Sequence, residues 1–545
     1  IIMDSSLNKA QVKVQPRSGF DKSFMSVGSG RCGQIIPILC DEVLPNSKIS
    51  LKLAMNASLP PLANDIYMRC SIKTEAFFVP SRLLVGSYQN WFSGVGDDAD
   101  NTPGKLPFIS LEAGEDAGAE RMNGFISDPW NLFDWLGFRV GSVNTVSSAL
   151  VGRYVPISML PFLAYHKIYD DWYRRPLIQR PSFVRPIQGT QIGRFDCKYF
   201  PYTYVTQDFS EMVITDRSDF VASEFQLNDG HNVFALRQRN FGDDVFTVAQ
   251  PSPQLGPARV VSTAGNQFTI AALRAQNSMQ EFEEFNQLAG SRFQDQLRVR
   301  YGASLSDGVA QRSLWLGSGS FDIYSKGVYQ ANADAAHVNT RNPYNSVASR
   351  YGSAYASGQE FIISNFTANE PGYIFVMCSL VPRRSYGTGI LPLLQKYAAN
   401  VESAVMGNAV LQNVGNQPIY ASELGAVASN AIFGYQQRFA EYMYRNDEVH
   451  AEMRRGGYLQ HFALHDTFSE TADLEISTDF IQIPENFINT VFVVSPGDSL
   501  PHYWFDCYFD YRVSQPLAKF SIPSLQNPAY EHGETITVKR GGISL

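Results

Sequence analysis

Three glycines at a fixed spacing raise the first chemical question. Gly28, Gly30 and Gly33 in "VGSGRCGQIIPILCDEVLP" (27–45) form a G-x-G-x-x-G, the pattern that can seat a dinucleotide pyrophosphate. That use needs an apolar strand before the loop and a helix opening on its last glycine, so that helix amides face the phosphates. The preceding "QPRSGFDKSFMS" is polar and basic, and Pro37 interrupts the run that follows. Proline inside a helix costs about 3 kcal/mol. The glycines are therefore expected to open a strand, and no cofactor is expected.

Other spacings suggest chemistry without completing it. His461 and His465 in "HFALHD" could align two imidazoles on a helix, but the segment lacks the glutamate of H-E-x-x-H, and two ligands do not make a tetrahedral site. Gly497-Asp498-Ser499-Leu500 matches a short esterase signature, with His502 near Ser499, yet it falls where a turn between late strands is expected. Gly104-Lys105 is followed by Leu106, so there is no phosphate loop. "GDDAD" (96–100) beside Pro103 reads as a solvated acidic loop rather than a cation site.

Basic residues pair at Arg174-Arg175, Arg383-Arg384, Arg454-Arg455 and Lys539-Arg540. Residues 1–31 hold five bases (Lys9, Lys13, Arg17, Lys22, Arg31) against Asp4 and Asp21, while the whole chain carries a net charge of −8. That local reversal suits contact with a phosphate backbone. Lys9, Lys13, Arg17 and Lys22 are the candidate DNA-phosphate contacts. No catalytic, cofactor-binding or metal-binding set is expected, and so no enzyme.

The elements that must position these residues are mostly short strands. "KISLKLAM" (48–55) and "MRCSIKTEAFFVP" (68–80) alternate strictly, as does "YWFDCYFDYRV" (503–513), with Tyr503, Phe505, Cys507, Phe509 and Tyr511 on one face and Asp506, Asp510 and Arg512 on the other. "FIISNF" (361–366), "GYIFVMCSLV" (372–381), "DFIQIP" (479–484) and "NTVFVVS" (489–495) are expected to complete seven or eight strands. Helices are expected over 278–302, where Met279, Phe282, Phe285, Ala289, Phe293 and Leu297 recur at three and four, and over 433–445. A third should follow Ser158, a candidate cap, with Pro161 in its first turn. The pattern predicts a mainly β protein: one core split between the chain's ends, with long helix-and-loop insertions.

Bulk composition agrees. At 44% hydrophobic and 18% charged the chain is well outside the disordered class, and 13% aromatic content favours strands and contact surface. Six scattered cysteines (Cys32, Cys40, Cys70, Cys197, Cys378, Cys507) contain no C-x-x-C. They predict reduced thiols in a cytosolic setting. No apolar run reaches spanning length, so a soluble chain without signal-directed export is expected.

Several stretches, in order, resemble the major capsid protein of the microviruses, small tailless single-stranded-DNA phages, nearest to the gokushovirus branch. They are "RSGFDKSFMSVGSGRCGQIIPILCDEVLPNSKISL", "EAFFVPSRLL", "LFDWLGF", "LPFLAYHKIYDDWYR", "LRQRNFGDDVFTVAQPSPQLGP", "IFGYQQRFAEYMYR" and "YFDYRVSQPLAKFSIPSL". The chain departs from that family in having only about 257–275 where a long variable insertion is usual, and in being enlarged at 95–150 and 176–233.

The resemblance implies a single viral jelly roll of eight antiparallel strands. Residues 1–31 would be a basic N-terminal arm and 32–545 one discontinuous domain. Its core strands would lie mainly in 32–80, 360–382 and 475–515, with insertions 85–355 and 385–470 and with 176–233 as a surface insertion. Gly28–Gly33 would lead into the first jelly-roll strand. Copies would assemble as pentamers into a T=1 icosahedral shell in the host bacterial cytoplasm. The shell would enclose circular single-stranded DNA, with minor capsid or pilot proteins, internal DNA-binding proteins and a host surface receptor as further partners. The alternatives are a phage adhesin or carbohydrate-binding β-sandwich, and a hydrolase built on Ser499 and His502.

Overall fold

The structure is a computed structural model that describes residues 9–13, 17–62, 67, 69–85, 88–93, 106–112, 130–139, 154–182, 213–214, 227, 229–254, 270–289, 298, 306, 311–329, 350–395, 415–426, 431–466, 468, 474–492, 500–517 and 535–539. In chain order the elements that build and flank the core are β1 (Lys9–Lys13), β2 (Ser18–Asp21), β3 (Phe24–Gly30), β4 (Ile36–Val43), β5 (Ser47–Ser58) and β6 (Cys70–Pro80). Two helices follow, α1 (Leu160–Ile168) and α2 (Ile270–Ala289). The chain then adds β7 (Leu314–Asp322), β8 (Tyr324–Tyr329), β9 (Arg350–Ala368), β10 (Gly372–Pro382), β11 (Tyr503–Gln515) and β12 (Thr535–Lys539).

Two antiparallel sheets face each other across one core. The first runs β7-β6-β10-β4; the second runs β8-β9-β5-β11-β2, with β3 also on β11. Each sheet sets early strands (β4 and β6; β5) beside strands that follow hundreds of residues later (β7 and β10; β9 and β11), the long-range connections of a jelly roll. Alternation explains the second sheet. Ile49, Leu51, Leu53 and Met55 of β5 and Phe505, Cys507, Phe509 and Tyr511 of β11 are buried between the sheets. Arg512 and Lys52 on the opposite side meet solvent or its edge. β5 and β11 pair directly, from Trp504 opposite Ser58 to Ser514 opposite Lys48.

The first sheet is buried on both sides at its central strand β10, while its edge strand β7 keeps exposed residues such as Trp315. Every residue of β10 is buried, as suits a continuous apolar run that does not alternate. Its outer side is covered by α1 and the turn after it. Tyr165 donates to the carbonyl of Ile35 (2.7 Å), Trp172 lies 5.8 Å from Phe77, and its indole N–H donates to Ser313. Pro161 sits in the first turn of α1. Ser158 Oγ accepts the Leu160 N–H (3.3 Å), although Met159 occupies the cap position.

The glycine stretch does not open a strand; it closes one. Gly28 and Gly30 belong to β3, and Gly33 (φ +75°) makes the turn into β4. At Gly30 an added Cβ would meet the Tyr503 hydroxyl at 2.7 Å, so the small residue lets β3 close on β11. Residues 18–30, read from sequence as part of an arm, thus run along β11. β2 and β3 form one edge broken at Lys22–Ser23, where the Ser23 hydroxyl accepts the Tyr511 N–H (3.1 Å).

Other expectations are corrected. "DFIQIP" is a helical turn, Thr478–Ile481, capped by Ser477, whose hydroxyl accepts the Phe480 N–H. "NTVFVVS" begins within a 3-10 helix, Glu485–Val491, and 493–495 lie outside the described residues. Residues 433–445 are not a helix. Ile432–Gln436 is a strand paired with Gln417–Tyr420, and Phe439 at φ +65° leaves only a 3-10 turn at Ala440–Tyr442. α2 starts at Ile270 and is described only to Ala289, with Leu273, Met279 and Phe282 exposed.

Within 176–233 the two ends are held inward. Ser182 hydrogen-bonds Asp170 and Asp229, and Asp229 pairs with Arg237. Most of the segment between, and the 96–100 acidic loop, lie outside the described residues. Among the described residues no helix is long and apolar enough to cross a membrane.

Candidate nucleic-acid and subunit interface

The four candidate phosphate contacts fall in different settings. Lys9 and Lys13 are the end residues of β1, which pairs antiparallel with β12, Lys9 opposite Lys539 and Lys13 opposite Thr535. Arg17 donates to the Asn46 carbonyl. Lys22 pairs with Asp41 and lies 5.3 Å from the Tyr511 ring centre. Tyr511 donates to the same carboxylate (2.7 Å). Burial first, and the Asp41 charge second, push the Tyr511 hydroxyl far above its ordinary range, so it remains a donor. Arg17 and Lys22 each have an intrachain partner, and a phosphate at Lys22 would compete with Asp41.

Beside them lies the outer face of the second sheet. Its inner residues fill the core, so by the two-residue period of a strand the intervening side chains project outward. Trp504 (45% exposed) and Tyr508 (53%) stand on β11, Tyr355 (51%) and Phe361 (59%) on β9, and Tyr324 (60%) on β8. Met25 and Val27 of β3 extend the patch, both more than 60% exposed. Register joins Trp504, Ser58, Tyr355 and Tyr324 in one row across four strands. Lys48, Lys52 and Lys326 are interspersed, and none forms an ion pair with a described residue. Asp510, on the same face, is held by Arg512 at 2.9 Å.

Tyr324 is also part of the wall of a cleft of about 1170 Å³, which gathers the ends of β6, β7 and β10 and the segments around Asp243 and Arg445. Most charges there are spoken for. Arg383 pairs with Asp447 at 2.5 Å, Arg445 with Glu448 at 3.2 Å, Arg384 with Asp466 and Arg175 with Asp243. Arg69 and Lys73 have no ion-pair partner among the described residues. Partial burial, and next the Arg239 charge, lower the Lys73 ammonium from its ordinary value.

A buried pair fixes the floor behind Lys73. Arg239 binds Glu75 through two hydrogen bonds (2.7 and 2.9 Å), and Tyr173 donates to the same carboxylate. Burial alone would raise the Glu75 carboxyl. The guanidinium outweighs it and holds the group below its usual range, which is what a short two-point contact does in a low-dielectric site.

The sequence separated the two faces of β11 but did not single out Trp504 and Tyr508 on the outer one; the alternation contained that signal. The cleft had no sequence signal beyond the Arg383-Arg384 pair, because its wall comes from segments far apart in the chain. The remaining spacings do not converge. His502 accepts the Cys32 N–H (3.0 Å) in a buried position, while Gly497–Ser499 lie outside the described residues. His465 Nδ1 lies 3.2 Å from the Ala463 carbonyl, and the His461 side chain is outside the described residues. Cys32, Cys40, Cys70, Cys378 and Cys507 are free thiols, and Cys197 lies outside the described residues.

Comparison with known proteins gives a consistent result. The profile of a family described as capsid protein (F protein) matches residues 9–525. A capsid protein VP1 of Bdellovibrio phage phiMH2K is 23% identical, with 93% of this chain and 95% of the relative covered. Capsid proteins VP1 of Chlamydia phage 1 and of Spiroplasma virus 4 are each 21% identical; 96% and 94% of this chain are covered, and 98% and 96% of the relatives.

Proposed function

The chain belongs to the phage capsid protein (F protein) family, and on that premise we propose that its copies close, as pentamers, into a small T=1 icosahedral shell around circular single-stranded DNA. It is a structural major capsid protein of a microvirus-type phage; it assembles into a capsid and resides in the virion. The reading of a closed shell is carried by one observation. The strand β3 at the edge of the second sheet leaves Met25 and Val27 apolar and open, each more than 60% exposed. Exposed apolar patches of that kind mark interaction surfaces, and symmetric closure is how repeated copies bury them.

In this reading residues 32–545, with β2 and β3 added, form one discontinuous jelly-roll domain, assembled in the host bacterial cytoplasm. The segment before β2, with Lys9, Lys13 and Arg17, and Lys22 at the sheet edge, faces packaged DNA. The reversal of charge in 1–31 supports this. Residues 176–233 provide a surface for a receptor or neighbouring copies, and pilot or internal DNA-binding proteins are further partners.

The test is expression of the full chain, followed by size-exclusion chromatography and negative-stain electron microscopy. Closed particles of uniform diameter are expected; a stable monomer or trimer at high concentration would overturn the shell. Gln at Lys9, Lys13, Arg17 and Lys22 together should leave shells intact and reduce packaged DNA. Unchanged packaging and salt response would leave the arm a structural strap.

A further inference from the structure

We propose that a single strand of nucleic acid lies along the outward row Trp504–Tyr355–Tyr324 and enters the cleft at Tyr324, where Arg69 and Lys73 take its phosphates. The inference rests on the DNA reading above and assigns the strand a track, separate from the arm.

Two independent features meet at one residue. The row is a set of exposed rings on a rigid sheet. Strands sit about 4.8 Å apart, so Trp504 and Tyr355, separated by β5, stand roughly 10 Å from each other, with Tyr355 and Tyr324 on neighbouring strands. Rings fixed at such intervals stack bases without regard to sequence, because every base has a flat face. The row then runs into the cleft, since Tyr324 belongs to both.

The cleft supplies what the row lacks. Its paired arginines are held by their own carboxylates, whereas Arg69 and Lys73 form no ion pair among the described residues beside a space of about 1170 Å³. Lys48, Lys52 and Lys326 add unpaired cations along the sheet. Asp244 and Asp322 in the cleft and Asp506 on the sheet oppose them; five cations against three acids leave the sum positive. A protein partner would have to leave those lysines beneath it or bring matching acids; a polyphosphate chain satisfies them by its nature.

The experiment uses the purified, unassembled full chain with a short fluorescein-labelled oligo(dT). Anisotropy is read across a salt series, and tryptophan emission reports stacking. Wild type should bind with quenching that Trp504→Phe abolishes. Tyr324→Ala and Trp504→Ala should each weaken binding at least about fivefold with the salt slope unchanged, while Tyr324→Phe binds normally. Arg69→Gln with Lys73→Gln should flatten the slope of log K against log salt by about 1.4, the value for two phosphates on a single strand; Arg69→Lys should not.

Circular dichroism melts confirm that each variant is folded, and the conservative partners keep the test decisive if one is not. Unchanged affinity and slope across the set would overturn the track. So would ring variants that stop shells forming while oligo(dT) binding persists, for the face would then be a contact between copies. If wild type forms no shells, the shell reading fails by itself, whatever the binding data give.

Discussion

The two sheets of the barrel share one core and are finished differently on their outer sides. β10, in the first sheet, is buried from Gly372 to Pro382 because α1, Trp172 and Tyr173 lie over that sheet. β11, in the second, alternates buried and open along its length, with Trp504 and Tyr508 left in solvent. The centre of one sheet is covered by the chain's own insertions; the other keeps rings exposed on its outer side. Burial on both sides makes a sheet a stability element, while a single covered face makes it a platform.

That contrast can be broken most forcefully in the covered sheet. Phe375→Ala should cost about 3–5 kcal/mol, the usual loss for a buried phenylalanine, read as a fall in denaturant midpoint of the unassembled chain. A cost near zero would show that the cover is loose. Glu75→Gln should cost a similar amount, about 3–5 kcal/mol, by leaving Arg239 buried with half its contact. Glu75→Gln combined with Arg239→Met should recover part of it.

Acid should loosen the cover next. His166 donates from Nε2 to the Val233 carbonyl (2.7 Å), and its Nδ1 accepts from Arg237 (3.0 Å). Burial, then the Arg237 charge, hold the ring well below its ordinary value, and the same causes lower His231 to about 3. The folded state therefore refuses a proton that the unfolded chain accepts below about pH 6.5, so stability is full above that pH and falls as pH drops through it. Each histidine should contribute a slope of up to about 1.4 kcal/mol per pH unit, seen as a falling melting temperature between pH 6.5 and 5. A flat profile there would mean that both rings titrate freely.

The smallest effect belongs to the open sheet. Trp504→Ala should change the stability of the unassembled chain by no more than about 0.5 kcal/mol, as at other exposed sites. A loss comparable to that of Phe375→Ala would erase the distinction between platform and core.

The same difference governs what the amino-acid sequence disclosed. β5 and β11 were legible because one-sided burial imposes alternation, and β10 because two-sided burial imposes a continuous apolar run. β2 and β3 were missed, since "SGFDKSFMSVGSG" mixes small and polar residues that are tolerated only because Tyr503, Phe505 and Trp135 provide the bulk. "DFIQIP" looked like a strand, but Ser477 supplies a cap that hydrophobicity alone does not reveal. At 433–445 helical spacing was overridden by pairing with Gln417–Tyr420 and by the left-handed Phe439. The arm's bases were visible as local charge, whereas the cleft was invisible because Arg69, Tyr324 and Arg445 meet only in three dimensions.

The place of β11 also sets a clock for synthesis. It lies between β5 on one side and β2–β3 on the other, yet it begins at Tyr503, hundreds of residues after Ser58 ends β5. At about 5–20 residues per second a ribosome needs roughly 20–90 s to cover that distance. Until then the early strands have no central partner, and the platform that carries Trp504 and Tyr508 does not exist. A half-made chain therefore lacks both the centre of the second sheet and the row of rings that it carries.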